Sequence, residues 1–240
     1  MDIEPDISVV ILCYKAGYSA QVFVDQVIEH LNSFTLDWEI ILVGNYLKGD
    51  TDDVTPDVVR MLAASNPTRI KSVTLEKQGM MGWDVRSGLN VATGKTICFI
   101  DGDGQMIATD IGRIYQKLIS EHLDMAKTYR ERRDDGFLRT LNSKIYNLIF
   151  CTLFPGFHVR DVNSKPKILT REFLNKLSLK SDDWFLDAEI IIQARRLRAN
   201  IGEIPTVFLE AKNRKSFVKL RHISEFTINL IIARLREFFV

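Results

Sequence analysis

The sequence predicts an α/β fold, a mainly parallel sheet with helices on both faces. Two observations carry this. Over residues 7–101, apolar β-branched runs alternate four times with stretches of helical period, and the links are short. No stretch rich in proline, glycine and serine divides the chain, so one domain (1–211) with a C-terminal appendage (212–240) is expected.

"ISVVILCY" (7–14) is a short apolar run of the kind buried on both faces of a sheet. "SAQVFVDQVIEHLNSF" (19–34) places Phe23, Val27 and Leu31 on one helical stripe, with Ser19 as N-cap. "WEIILVG" (38–44) is a second buried strand, and "TPDVVRMLAAS" (55–65) a helix capped by Thr55 with Pro56 in its first position. "IKSVTLE" (70–76) is a third strand. "MGWDVRSGLNVAT" (81–93) is a helix ended by Gly94, and "KTICFID" (95–101) is the fourth strand.

Right-handed crossovers bring the C-terminal ends of these strands to one edge, where open α/β sheets bind ligands. Tyr14, Gly44, Glu76 and Asp101 are therefore expected around one cleft. After residue 110 the pattern loosens. Helices are expected over 109–122, 138–154 and 187–200, and strands over 124–130, 164–170 and 203–211. "ISEFTINLIIARLREFFV" (223–240) reads as an amphipathic helix.

Composition removes several classes of function. With 46% hydrophobic and 26% charged residues, the chain of 240 residues can bury a core and is not disordered. A net charge of +1 gives no global field toward nucleic acid, and none is expected as a partner. Cys13, Cys98 and Cys151 are far apart in apolar runs and read as buried thiols of a reducing compartment. The four histidines lack metal-ligand spacing. "MDIEPDISVV" has no basic n-region of a signal peptide, and no stretch approaches the roughly 20 apolar residues of a membrane span. A cytoplasmic protein, or one peripheral on the cytoplasmic face of a membrane, is expected.

"FIDGDGQ" (99–105) is the stretch that carries chemistry. Asp-Gly is ordinary turn material, and a loop at a strand end is the plain alternative. At the C-terminal end of a parallel strand, however, two carboxylates two residues apart can present oxygens to one hard cation. Mg2+ or Mn2+ takes one or two carboxylates plus substrate phosphates. Gly102 and Gly104 allow a bulky ligand to approach, and Gln105 adds an amide oxygen. The implied substrate is a diphosphate whose leaving charge the metal neutralises.

"VVILCYKAG", "GWDVRSGLNVATGK" and "FIDGDGQ", in that order and spacing, resemble the nucleotide-sugar domain of family 2 inverting glycosyltransferases with the GT-A fold. "DGDGQ" and the residues after it resemble polyprenyl-phosphate glycosyltransferases of the dolichol-phosphate mannose synthase type. The resemblance covers roughly residues 7–220. "YRERRDDGFLRTLNSKIYN" (129–147) matches that group's R…R-x-x-x-S segment and puts Arg130, Arg139 and Ser143 near acceptor phosphate and donor diphosphate. Guanidinium forks suit phosphate oxygens, and a solvated basic helix face is the alternative. "VRDVNSKPKILTREFL" (159–174) is similar to the family's D-x-x-S-G-F-[RK] stretch, aligning Asp161 and Ser164. "DWFLDAEIIIQARRLRANIGEIPTVF" (183–208) is similar to its F-x-x-E-[LI]…E-[VI]-P segment and places Asp187 and Glu189 at the cleft mouth. Their alternative role is that of helix N-terminal acids.

The chain departs from the family pattern in three places. Lys15-Ala16 replace an Asn-Glu pair after the first strand, and Gly44-Asn45 replace an acidic pair that reads the nucleobase. Asn45 is then the residue left to bond a base edge, with Asp50, Asp52 and Asp53 available to cap the next turn. The late R-x-x-G-x-S-K element becomes "KNRKSFVKL" (212–220), which keeps Lys212, Arg214, Lys215 and Lys219. The donor is thus a GDP- or UDP-linked sugar, held by Tyr14, Asn45, Arg86, Asp101 and Asp103.

In the mechanism the resemblance implies, Asp103 and Gln105 ligate the metal, and Asp101 bonds the ribose or supports the metal. Arg139 joins the metal in stabilising the departing diphosphate, and Arg86 assists it or caps the structure. A lipid-phosphate acceptor, bound by Arg130, Arg139, Ser143, Arg214 and Lys215, needs no strong base. A hydroxyl acceptor needs one, and Asp187 or Glu189 is placed for it. The basic, apolar tail suits an anionic membrane surface, a second subunit, a membrane-protein partner or its own domain. A glycan or protein transferase, and a non-catalytic scaffold of the same fold, are the rival expectations.

Overall fold

The computed structural model describes residues 4–133, 137–156, 159–209, 228–235 and 237, with backbone alone at 133 and 137–139. Its elements are β1 (Ile7–Leu12), α1 (Ser19–Asn32), β2 (Trp38–Val43), α2 (Thr55–Ser65), β3 (Ile70–Val73), α3 (Met81–Leu89) and β4 (Thr96–Asp101). They continue with α4 (Asp110–Ser120), β5 (Met125–Arg133), α5 (Phe137–Leu153), β6 (Lys167–Thr170), α6 (Arg171–Lys176), α7 (Leu186–Arg196) and β7 (Ile201–Phe208).

The strands form one sheet in the order β3-β2-β1-β4-β6-β5-β7. β3, β2, β1 and β4 run parallel, with Ile7 beside both Trp38 and Thr96. β6 runs antiparallel between β4 and β5, and β7 is parallel to β5. The expected mainly parallel sheet is therefore present. The reversal at β6 carries its first residues to the same edge as the C-terminal end of β4.

Every residue of β1 and β2 is buried, because both faces of the sheet are covered. Side chains alternate between two cores, as the pleat requires. Val10, Leu12, Ile41, Val43 and Phe99 face α3, α5 and α7 through Val85, Phe150 and Ile191. Ile7, Val9, Ile11, Ile40 and Leu42 face α1, α2 and α4 through Phe23, Val59 and Ile114.

Several expected boundaries move. Tyr18, not Ser19, is the N-cap of α1, because the Ser19 hydroxyl bonds back to the Ala16 carbonyl at 2.5 Å. Thr55 is inside α2, and Asp53 accepts from its N–H at 3.0 Å and its hydroxyl at 2.5 Å. α3 stops at Leu89 with Asn90 as its cap. Gly94 serves packing instead, since a Cβ there would lie 2.8 Å from the Ser8 nitrogen. The short helix α6 was not expected. Thr170 caps it by accepting the Phe173 N–H.

Of the C-terminal stretch, residues 228–235 are helical. Leu230 is buried in the core beside Phe150, and Ala233 packs on the same cluster. Glu237 pairs with Arg195, Arg196 and Arg234. The inner face of this helix thus rests on the domain, and Ile228, Ile231, Ile232 and Leu235 face outward. Lys212, Arg214, Lys215, Lys219 and Arg221 lie outside the described residues. Among the described residues, no helix is long and apolar enough to cross a membrane.

α3 packs on the sheet through Gly88, where a Cβ would lie 2.3 Å from Val10 Cγ1 and 2.8 Å from Val43 Cγ2. Gly88→Ala is therefore expected to destabilise the fold by about 1–3 kcal/mol through overpacking, read as a lower urea midpoint.

Candidate active site

The C-terminal ends of β1, β2 and β4 are fastened side by side. Cys13 N–H donates to the Val43 carbonyl and Gly102 N–H to the Leu12 carbonyl, both at 2.8 Å. Tyr46 and Glu76 form an isolated parallel bridge beside them. Tyr14, Gly44, Glu76 and Asp101 thus share one edge, as expected. The Lys77 ammonium lies 4.3 Å from the centre of the Tyr14 ring.

Gly102 lets the acidic motif lie against β1, since a Cβ there would stand 2.8 Å from Ile11 Cγ2. Gly104 turns the loop with a φ of +74°. Asp101 is partly exposed at the end of β4, and Asp103 accepts the Gln105 N–H at 3.1 Å. Gln105 ties the motif to the end of β7. Its backbone carbonyl accepts from Leu209 N–H, and its side-chain amide donates to the Leu209 carbonyl at 3.1 Å.

Under this edge lies a cluster of buried charge. Lys165, just before β6, places Nζ 3.3 Å from Asp101 Oδ2 and 3.4 Å from Asp187 Oδ2. Lys167, in β6, pairs with Asp187 Oδ1. Burial alone would raise the Asp187 pKa, but the ammonium groups of Lys165 and Lys167 more than reverse this and hold it below the usual carboxylate range. Burial also pulls Lys167 down, to about 7.

A second buried pair lies toward β5. Arg130 grips Asp161 in a fork, Nε to Oδ2 at 2.6 Å and Nη2 to Oδ1 at 2.8 Å, with its guanidinium 5.5 Å from the Phe208 ring centre. Burial pushes the Asp161 pKa up, and the Arg130 charge and hydrogen bonds, aided by Lys127, carry it far below the ordinary range. Lys127 is itself fully buried on the carbonyls of Thr128 and Asp161 and on Glu203. Ser164 hydrogen-bonds the Thr128 hydroxyl at 2.8 Å.

Four side chains that the sequence offered to the site are engaged by partners within the chain. Asn45 is fully buried and donates to Asp84 and Ser87 while accepting from Leu75 N–H, so its amide joins β2, α3 and the end of β3. Arg86 pairs with Asp182 and bonds the Lys180 carbonyl, bracing the segment before α7. Asp187 is not at the cleft mouth but buried between lysines. Glu189 accepts the N–H groups of Lys180 and Ser181 at 2.9–3.1 Å and orders that same segment.

Arg139 and Ser143 lie four residues apart on α5 and so share a face by period. The side chain of Arg139, and all of Arg214 and Lys215, lie outside the described residues. Sequence reasoning missed Lys77, Lys127, Lys165 and Lys167. "NSKPK" held the available signal, because Lys167 precedes an apolar strand segment in a position whose alternation points inward.

The donor set fits a hard divalent cation. Asp103, and Asp101 with one oxygen already on Lys165, present carboxylates on either side of a glycine. Among the described residues, no three Asp, Glu, His or Cys side chains gather, so such an ion needs substrate oxygens to complete its shell.

The sequence model for "Glycosyl transferase family 2" matches residues 8–186. The chain belongs to this family. It is a GT-A-fold glycosyltransferase by family and by sheet topology. "Dolichyl-phosphate beta-glucosyltransferase" of Dictyostelium discoideum is 24% identical over 229 residues, 87% of this chain and 68% of that protein. "Dodecaprenyl-phosphate galacturonate synthase" of Rhizobium johnstonii is 25% identical over 178 residues, 74% of this chain and 51% of that protein. The chain therefore spans between half and about two thirds of these relatives. Glucosyl-3-phosphoglycerate synthase from Mycobacterium tuberculosis, solved with Mn2+, UDP-glucose and phosphoglyceric acid, superposes with a TM-score of 0.70 at 18% identity. That likeness covers 96% of this glycosyltransferase and 79% of the other chain, and concerns the fold.

Asp161→Asn leaves the Arg130 guanidinium without its counter-charge in a mostly buried site and is expected to cost about 3–5 kcal/mol in chemical denaturation. Asp161 titrates lower when folded than when unfolded. Its contribution is therefore complete above the ordinary value of 3.8 and lost as pH falls below it. The stability gap between native protein and variant should shrink over that acid range.

Proposed function

We propose that this glycosyltransferase moves a sugar from a nucleoside-diphosphate sugar to a polyprenyl phosphate, with inversion and with the help of Mg2+ or Mn2+. One observation carries the acceptor. Asp187 and Glu189, the two carboxylates the sequence offered as bases, are both committed to holding the fold. A hydroxyl acceptor needs a base. A phosphate is already ionised at neutral pH and does not. The names of the relatives from Dictyostelium and Rhizobium, both polyprenyl-phosphate sugar transferases, support the same acceptor.

Asp103, with Asp101 and Gln105 beside it, is assigned to the cation and the donor diphosphate. The bound cation supplies positive charge that neutralises the departing diphosphate. Tyr14 and Lys77 line the donor end of the edge. Arg139 is assigned to the leaving group and Ser143, one turn on, to the acceptor phosphate. Arg130, locked on Asp161, shapes that end of the site, and Arg214 and Lys215 supply further positive charge to it. The acceptor phosphate oxygen attacks the anomeric carbon from the face opposite the diphosphate. The new C–O bond forms as the old one breaks, and the nucleoside diphosphate leaves.

The acceptor is a membrane lipid, so the enzyme works at a membrane surface, on its cytoplasmic side. Ile228, Ile231, Ile232 and Leu235 on the C-terminal helix give that contact an outward apolar face.

Transfer from GDP-mannose, UDP-glucose and UDP-N-acetylglucosamine to a polyprenyl phosphate in vesicles, with and without Mn2+, tests the whole reading. One donor is expected to react, and chelation to stop it. Asp103→Ala should lower kcat/KM roughly 100-fold or more, the several kcal/mol a catalytic metal contributes. Transfer to a hydroxyl glycan and not to the lipid phosphate would overturn the acceptor assignment.

A further inference from the structure

Lys165 stands where the family pattern D-x-x-S-G-F-[RK] has glycine, directly after Ser164. A glycine there brings no charge. A lysine brings an ammonium to the rear of the acidic motif, and the structure shows where it goes. Nζ lies between Asp101 Oδ2 at 3.3 Å and Asp187 Oδ2 at 3.4 Å, on a side chain only 6% exposed. Asp187 cannot follow a departing Lys165, because its other oxygen is fixed on Lys167, which is fully buried in β6. Lys167 cannot move without opening the sheet, since its residue pairs with Phe99 of β4 and Lys127 of β5. The ammonium is therefore anchored from below, and the partly exposed Asp101 is the member of the network that faces the cleft.

A divalent ion seeking Asp101 Oδ2 meets this fixed positive charge at contact distance, with little water to screen it. We propose that Lys165 is a resident cation that keeps Asp101 as its counter-ion, excludes that carboxylate from the metal's coordination shell and so sets the metal affinity of the site. The metal contact then falls to Asp103. The free enzyme binds the ion weakly and binds it well together with the donor diphosphate, whose oxygens replace the missing carboxylate. Lys165 is a positioning residue in this scheme. The proposal rests on "DGDGQ" being the metal site of the proposed reaction.

The test is a titration with Mn2+ alone, followed by electron paramagnetic resonance of the free ion, which needs no turnover. Lys165→Met keeps the length of the side chain and removes the charge. It should tighten Mn2+ binding about 10-fold, at the lower end of what partners of metal ligands control. Lys165→Arg keeps the charge and should bind like the native protein. Asp101→Asn should change native affinity less than about 3-fold, yet cancel the gain when added to Lys165→Met.

Unchanged or weaker binding in Lys165→Met would overturn the proposal. So would a loss in Asp101→Asn alone as large as that in Asp103→Ala, an arm that stands even if Lys165→Met fails to fold. Asp101→Asn and Asp103→Ala together in the Lys165→Met background separate the two readings. If Mn2+ binding survives there, the motif is not the metal site and the proposed reaction loses its cation, whatever Lys165 does.

Discussion

Charge buried in an α/β core has to be neutralised where it sits, because desolvating an unpaired ion costs several kcal/mol. Asp187 is the centre of that constraint here. It enters the core in the first turn of α7 and is met by Lys165 and Lys167, and Lys165 in turn by Asp101. Two acids and two ammonium groups balance. Together they fix β6, the one antiparallel strand of the central sheet, against β4 and α7. The position of the acidic motif is set in the same way, since Asp101 is both the last residue of β4 and a member of this network.

A second balanced group, Arg130 with Asp161 and Lys127 with Glu203, does the same for β5 and β7. Between them the two groups span the half of the sheet that the sequence pattern describes least well. The parallel half needs no such device. There β1 and β2 are apolar throughout, and burial of their side chains on both faces supplies the cohesion. The acidic motif lies where the halves meet, between the hydrophobic strands and the ionic ones.

This division explains which charged residues are available for chemistry. The charges that build the fold, Asp84, Asp161, Asp187 and Lys167, are buried and paired. Asp101 and Asp103 stand at the rim, on a loop that two glycines allow to lie against β1 and turn outward. At the end of β2, Asn45 makes a closed set of hydrogen bonds among β2, α3 and the end of β3.

The sequence by itself determined the alternation of strands and helices up to Asp101, the shared edge of Tyr14, Gly44, Glu76 and Asp101, and the place of the acidic motif at the end of β4. Those features are local or come from period and handedness, which a single chain displays. Only the tertiary structure decided that β6 runs antiparallel, that Asn45 and Arg86 bond to segments far away in the chain, and that Asp187 and Glu189 are held by internal partners. Each of these depends on a partner far away in the chain, as Arg86 depends on Asp182 and Asp101 on Lys165. A carboxylate written in a sequence looks the same whether it will face water or two lysines. The difference is made by desolvation and pairing, which exist only once the chain has folded.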